Sequence, residues 1–451
     1  MTALPAEVRS VETKVFPRFL DLAYPNVERG EGVRLFLTDG REILDACSGG
    51  AMVACLGHGV HEIVDAAADQ AERLAYVYNH HFTNEPQERL AARLLETAAP
   101  EMARVRFVSG GSEANETMLR LVRQYHVDRG EPERWRIVSP AQAYHGATMG
   151  ALAFTGRPGL QRPFEPYLAA HSHIPPSTWR FDPAGAAALE QLDERLEEAG
   201  PETVAAFLCE PVSAAALPGY SPPDAFWEGL AERRERHGFL VCFDEIVTGM
   251  GRTGTWFAYQ QLPLEPDVVT VGKGLGAGYF PLAAVLCKEH VYEAIAEGSR
   301  EFEHGHTWDG APLPCAVGLA VLDRLAEERL VERVRERGPA LLRRLEEAVG
   351  GLALVREARG RGFLLGVELV DPRDGESLLP PEIDVADLVD QVAFEHGVLV
   401  TSSHSSPDRL AGDQTLLAPA YTASDEELAE MVDRFAGALR EVESRVRELL
   451  R

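Results

Sequence analysis

The sequence predicts an α/β protein: a mostly parallel sheet flanked by helices, with a smaller α+β domain beside it. Apolar, β-branched runs alternate with stretches of helical periodicity through the middle of the chain, as they must when each parallel pair needs a crossover. Two of those runs end on acidic residues and one on a glycine-rich turn, the places where ligands of such sheets gather. The chain is 451 residues long and 45% hydrophobic, enough for two or three domains around a large core.

In chain order, short strands at 33–37 and Glu42–Asp45 end on the turn Ser48-Gly49-Gly50. The main sheet is expected from strands at 105–108, 136–138, 204–208, 239–243, 267–271 and 283–286. Between them, 116–126 carries Met118, Leu121, Val122 and Tyr125 at helical spacing on one face, and Asp224–His237 reads as a further helix. Residues 315–349, rich in Ala, Leu, Arg and Glu, form one long helix or two shorter ones. Strands at 362–370 and 398–400 and closing helices over 425–450 complete the smaller domain. The expected division is therefore 1–60, packing with the small domain, 61–314 as the large domain, and 315–451 as the C-terminal small domain. No repeat, low-complexity tract or linker separates them, so they share one body.

A formal net charge of −27 argues against nucleic acid or anionic membrane as a partner and suits a cytoplasmic protein. Residues 1–10 lack the apolar core of a signal peptide, and no apolar run reaches the length of a membrane span. The six cysteines are scattered without a CxxC, and are expected as reduced core thiols. The histidines share no ligand spacing on one predicted element, and no metal is assigned.

The chemistry gathers at three places. The chain has only three lysines, Lys14, Lys273 and Lys288, the rest of its 44 basic residues being arginine. Lys273 stands where an apolar strand meets the loop Gly274-Leu275-Gly276-Ala277-Gly278, a setting in which an amine loses its proton cheaply and attacks carbonyls. Gly110-Gly111-Ser112 joins a strand to a helix and makes a phosphate cradle, or else an ordinary capped turn. Asp244 ends the run 239–243, fit to hold a proton on a heterocyclic nitrogen, to ligate Mg²⁺ or to cap a helix. Glu210 ends the run 204–209 in the same way, and Tyr144 offers an aromatic face or a core ring. The spacing Gly274-x-Gly276-x-Gly278 is not that of a dinucleotide fold, and no Walker motif is present. A phosphate cradle, a carboxylate and a nucleophilic lysine on strand ends of one sheet are what pyridoxal 5′-phosphate (PLP) requires.

Over nearly its whole length the chain resembles the class III (ω-type) aminotransferases of PLP fold type I. The resemblance rests on Ser109-Gly110-Gly111-Ser112-Glu113-Ala114, Tyr144-His145-Gly146, Glu210-Pro211-Val212, Asp244-Glu245-Ile246, Gly249-Met250-Gly251-Arg252-Thr253-Gly254, Gly272-Lys273-Gly274-Leu275-Gly276 and Gly305-His306-Thr307, in that order. It implies that Lys273 is the Schiff-base lysine and that Asp244 pairs with the pyridine nitrogen. Ile246 and Tyr144 would then lie on opposite faces of the ring. It further implies that Gly111 and Ser112 bind the phosphate together with Thr307 of a second copy, in a homodimer with shared sites. The expected activity is transfer of an amino group from an amine or amino acid to a keto acid or aldehyde. The alternative is an aminomutase or a decarboxylating lyase on the same fold. The sequence departs from the family pattern at Ser213-Ala214-Ala215-Ala216, where glycines are usual, and at Pro419-Ala420, where Pro-Pro is common. Arg409, ahead of Gly412-Asp413, is a candidate for a substrate carboxylate or a solvated loop arginine, and Glu210 is a second candidate substrate contact.

Overall fold

Strands form where the apolar runs predict them. A computed structural model describes residues 14–20, 22, 24–176, 182–404 and 412–451. Its first strands are β1 (Val27–Glu31), β2 (Arg34–Leu37) and β3 (Glu42–Asp45). The main sheet contains β4 (Met102–Val108), β5 (Arg136–Pro140), β6 (Ser172–Ile174), β7 (Val204–Cys209), β8 (Leu240–Glu245), β9 (Val268–Val271) and β10 (Ala283–Lys288). The remaining described strands are β11 (Val355–Arg361), β12 (Leu364–Leu369), β13 (Val398–Leu399), β14 (Thr401–Ser403) and β15 (Gln414–Leu417).

The main sheet has the order β4-β10-β9-β8-β7-β5-β6. All its pairings are parallel except those of β10, which lies antiparallel between β9 and β4. Every residue of β7, β8 and β9 is buried, because helices cover both faces; hence the unbroken apolar runs. The two-residue period survives inside them. Val241 and Phe243 face a layer containing Trp227, whose ring meets Phe243 edge-on at 5.6 Å. Leu240 and Cys242 share the other layer with Met118 and Val122, on the helix Gly111–Asp128.

Outside the main sheet, β3 pairs in parallel with β13 (Val398 against Leu44, Leu399 against Asp45), joining the first sixty residues to the C-terminal part. The strands β11, β12, β15 and β14 form a separate antiparallel sheet. The stretch 315–349 resolves into two helices, Pro312–Glu327 and Leu330–Val349, parted at Arg329, whose φ of +52° no α-helix accepts. Residues 425–450 give one long helix, Asp425–Leu449, opened by a reciprocal Ser424–Glu427 cap. Strands β1, β6, β11, β14 and β15 were not anticipated: β6 and β14 span three residues each, β15 four, and β1 and β11 are too polar to stand out.

Arg252 ties these parts together from a fully buried position. Its guanidinium donates to the carbonyls of Pro419 (2.6 Å) and Phe363 (3.2 Å) and to the Ser48 hydroxyl (3.1 Å), and lies 4.6 Å from the Tyr421 ring. All six cysteines are free and buried, and burial pushes the Cys47 thiol up to about 12 and that of Cys55 to about 11. No helix among the described residues is long and apolar enough to cross a membrane.

Candidate active site

The strand order lines up the residues singled out in the sequence. Reading across neighbouring strands, Lys273 follows β9, Asp244 lies at the end of β8, Glu210 follows β7 and Tyr144 follows β5. All four stand at the carboxyl edge of the parallel strands. The Gly110–Ser112 turn joins β4 to the helix Gly111–Asp128, which packs across the same sheet.

Asp244 is 5% exposed, and three donors fix it. Its Oδ2 accepts from Asn115 Nδ2 and from His145 Nδ1, both at 2.8 Å, and its Oδ1 accepts from the Ile246 backbone N–H at 3.0 Å. The second partners are themselves held. Asn115 Nδ2 also donates to the His145 carbonyl (2.6 Å), and Thr270 Oγ1 donates to Asn115 Oδ1 (3.0 Å). Thr270 therefore orients Asn115, and Asn115 with His145 orients the carboxylate. The Nε2 of His145 is buried without a partner among the described residues. Sequence reasoning missed Asn115 and Thr270 and gave His145 no role. The signals were a polar residue one helical turn after Ser112 and a threonine alternating with the apolar residues of β9.

Lys273 occupies a left-handed backbone conformation (φ +40°), which costs a non-glycine residue about 1–3 kcal/mol and persists only where surroundings enforce it. Burial pulls its amine below the ordinary lysine range, and the acids Asp244 and Glu210 pull the other way. Burial also pushes the Glu210 carboxyl from 4.5 up to about 7, although Ala214 N–H donates to it at 3.1 Å. Between those two values the folded chain keeps a proton that the unfolded chain has lost, so stability falls as pH rises. Glu210→Gln removes this ionisation. Relative to the parent protein, its Tm should rise by about 2–4 °C between pH 5 and pH 8, read by calorimetry on the cofactor-free chain.

At the turn, the N-cap of the helix is Gly110, with no side-chain cap, so Ser112 is not the cap. The Ser112 hydroxyl instead accepts from Ala147 N–H at 3.0 Å. A Cβ on Gly111 would lie 3.0 Å from Ile246 Cγ2, and one on Gly272 would lie 3.2 Å from Ile246 Cδ1, so Ile246 is held between the turn and the lysine loop. Gly146 has φ +136°, and its Cβ would meet Ser112 Oγ at 2.7 Å. Gly146→Ala should therefore displace Ser112 and weaken PLP binding by about tenfold, at a stability cost of about 1–3 kcal/mol. Cofactor titration followed by absorbance, with melting of the apo-protein, checks both.

Thr307 is exposed, and its carbonyl accepts from Tyr76 hydroxyl at 2.8 Å. Its segment is strapped beside the turn by Ser109–His306 (3.2 Å), Thr117–His304 (2.8 Å) and the Arg106–Asp309 ion pair (2.5 Å). Arg409 lies outside the described residues. Away from this edge, His404 pairs with Asp384 (3.1 Å) and Asp387 (3.4 Å) beside the helix Val385–Glu395.

The residues present fit PLP. A desolvated amine, a carboxylate fixed by three donors and an uncapped helix start beside a serine hydroxyl are the groups its carbonyl, ring nitrogen and phosphate need. The orphaned His145 Nε2 and the glycines at 111 and 272 are further marks of space shaped for a ligand.

Comparisons with known proteins agree. The family model of aminotransferase class-III matches residues 20–439. An uncharacterised aminotransferase of Schizosaccharomyces pombe is 35% identical over 418 residues, covering 91% of each chain. Among solved structures, a thermostable (S)-enantioselective ω-transaminase from Thermomicrobium roseum is 35% identical, covers 93% of each chain and superposes with a TM-score of 0.86. A PLP-bound amine transaminase from an uncultivated Pseudomonas species is 32% identical over 96% of this chain and 100% of its own, with a TM-score of 0.88.

Proposed function

Since the chain belongs to the class III aminotransferases, PLP-dependent enzymes of PLP fold type I, we propose that Lys273 carries the covalent and proton-transfer steps of its reaction. The activity itself is movement of an amino group from an amine or amino acid donor to a keto acid or aldehyde acceptor. When bound, PLP supplies an electron sink and a carrier for the amino group. The chain's own residues do the rest. The Lys273 amine, brought toward neutrality by burial, is the nucleophile that holds the cofactor. With PLP and donor in place, the same amine would take the proton from the substrate carbon and give one back to the amino-group carrier. Asp244, immobilised by Asn115 and His145, holds the proton on the ring nitrogen. Ile246 and Tyr144 would bracket the ring, and Gly111 and Ser112 would receive the phosphate with Thr307 from a second copy. The arrangement of Asp244, Asn115 and His145 one strand away from Lys273 is the observation that carries this reading.

The proposed state is a homodimer, supported by the exposed rings of Tyr76, Phe82 and Trp308 around the Thr307 segment. We place the domain limits at 1–60, 61–314 and 315–451, supported by the β3–β13 pairing, and the protein in the cytoplasm, in keeping with six free thiols. Product analysis tests the reaction: each donor should require an acceptor, with both products in equal amounts. Product from a single substrate would instead mark an aminomutase or a decarboxylating lyase. Sedimentation should give twice the chain mass, and fractionation of the source cells should put the protein in the cytoplasmic fraction.

A further inference from the structure

Arg157 lies outside the network around Asp244, yet the chain brings it to the same place. Gln142 N–H donates to the Gly156 carbonyl at 2.7 Å, and His145 N–H donates to Thr155 Oγ1 at 3.0 Å. The residues just before Arg157 are thereby clamped against the segment that carries Tyr144 and His145. The side chain is half-buried, and among the described residues no hydrogen bond or ion pair engages its guanidinium. Taking a guanidinium out of water without an anion costs free energy, and arginine has no easy escape by losing its proton.

The charges within reach leave that cost unmet. Burial pulls the Arg157 pKa down, Arg18 adds to the effect, and only Glu210 and Tyr144 oppose it. Glu210 is a poor standing counter-ion, because its carboxyl sits at about 7 and already accepts from Ala214 N–H. Two arginines against one acid whose ionisation burial opposes make a local positive site in a chain whose net charge is −27. An anion drawn to this protein needs such a site, since the overall field repels it.

We propose that Arg157 receives the carboxylate of an amino-acid or keto-acid substrate, as a fixed specificity-determining residue beside Tyr144 and Glu210. This rests on the reading of the Lys273 site as an aminotransferase centre. A guanidinium meets a carboxylate through two parallel N–H donors, so the contact selects planar carboxylates and orients them as well as attracting them. Carbonyl acceptors without a carboxylate gain nothing from it. Arg157 therefore separates keto acids from aldehydes of the same size.

The test is steady-state kinetics of the PLP-loaded enzyme with one amine donor and two acceptors of equal chain length, pyruvate and propanal. The readout is the ratio of their kcat/KM values in the parent, Arg157→Ala, Arg157→Lys and Arg409→Ala. The ratio should fall by about 10- to 100-fold in Arg157→Ala, mainly through the KM for pyruvate, and recover in part in Arg157→Lys. A ratio within about twofold of the parent, or a fall confined to Arg409→Ala, overturns the proposal. So does an equal loss on both acceptors accompanied by weaker PLP binding, which would make the cofactor phosphate the anion. A parent enzyme that aminates neither acceptor with any of a panel of amine donors contradicts the aminotransferase reading itself, and the proposal falls with it.

Discussion

Lys273→Ala is expected to lower turnover on the order of 10⁴-fold while the protein still takes up PLP. Both halves follow from where the lysine stands. Its amine is desolvated at the end of β9, so it serves as nucleophile and as proton carrier, and no other lysine can replace it: Lys288 pairs with Glu265, and Lys14 is exposed near the N-terminus. The contacts assigned to the ring nitrogen and the phosphate come from Asp244 and from the Gly111–Ser112 turn, which the substitution leaves in place. Borohydride treatment before denaturation should accordingly fix the cofactor to the parent chain and leave none attached to the variant. Loss of folding is not expected, because alanine leaves the backbone strain at this position (φ +40°) as it was and removes a buried amine. Steady-state rates and a PLP titration of the same preparation check the two halves together.

Asp244→Asn should cost roughly 10²- to 10³-fold in kcat, the range found when one preorganised electrostatic group is lost. The substitution keeps the shape and removes the charge. It also spoils the local geometry. Oδ2 of Asp244 accepts from both Asn115 and His145, and Oδ1 accepts from Ile246 N–H, so an amide nitrogen at either position faces a donor with another donor. Asn115→Leu and His145→Phe should each produce a smaller loss, because each removes one support and leaves the carboxylate. A dependence in that order, measured as kcat for one donor–acceptor pair, separates the charge from its positioning.

Much of the fold was readable because buried parallel strands leave a plain trace. β7 is apolar throughout, β8 is so up to Asp244 and β9 but for Thr270, and a functional residue stands at or just beyond the end of each. Asp224–His237 was bounded correctly as a helix, since its periodic face meets Leu192 and Phe207 in one core. The reading failed where tertiary contacts overrule local pattern. β11 is a polar strand held by its pairing with β12. In the site, residues that bear chemistry directly were legible by type and position, as Lys273, Asp244 and Ser112 were. Residues that act through them were not. Asn115 looks like any polar residue on a helix until the fold brings it across 129 positions to Asp244. Arg157 was passed over for the same reason: isolation in a half-buried setting is a property of the fold, not of the neighbouring sequence.

The most direct test of the central claim is the absorption spectrum of the PLP-loaded protein during titration with a panel of amines in the absence of any acceptor. The account predicts that the band of the lysine-bound cofactor bleaches with at least one amine, returns when a keto acid is added, and does neither in Lys273→Ala. A band that stays unchanged with every amine, or that bleaches and recovers at the parent's rate in Lys273→Ala, would contradict it.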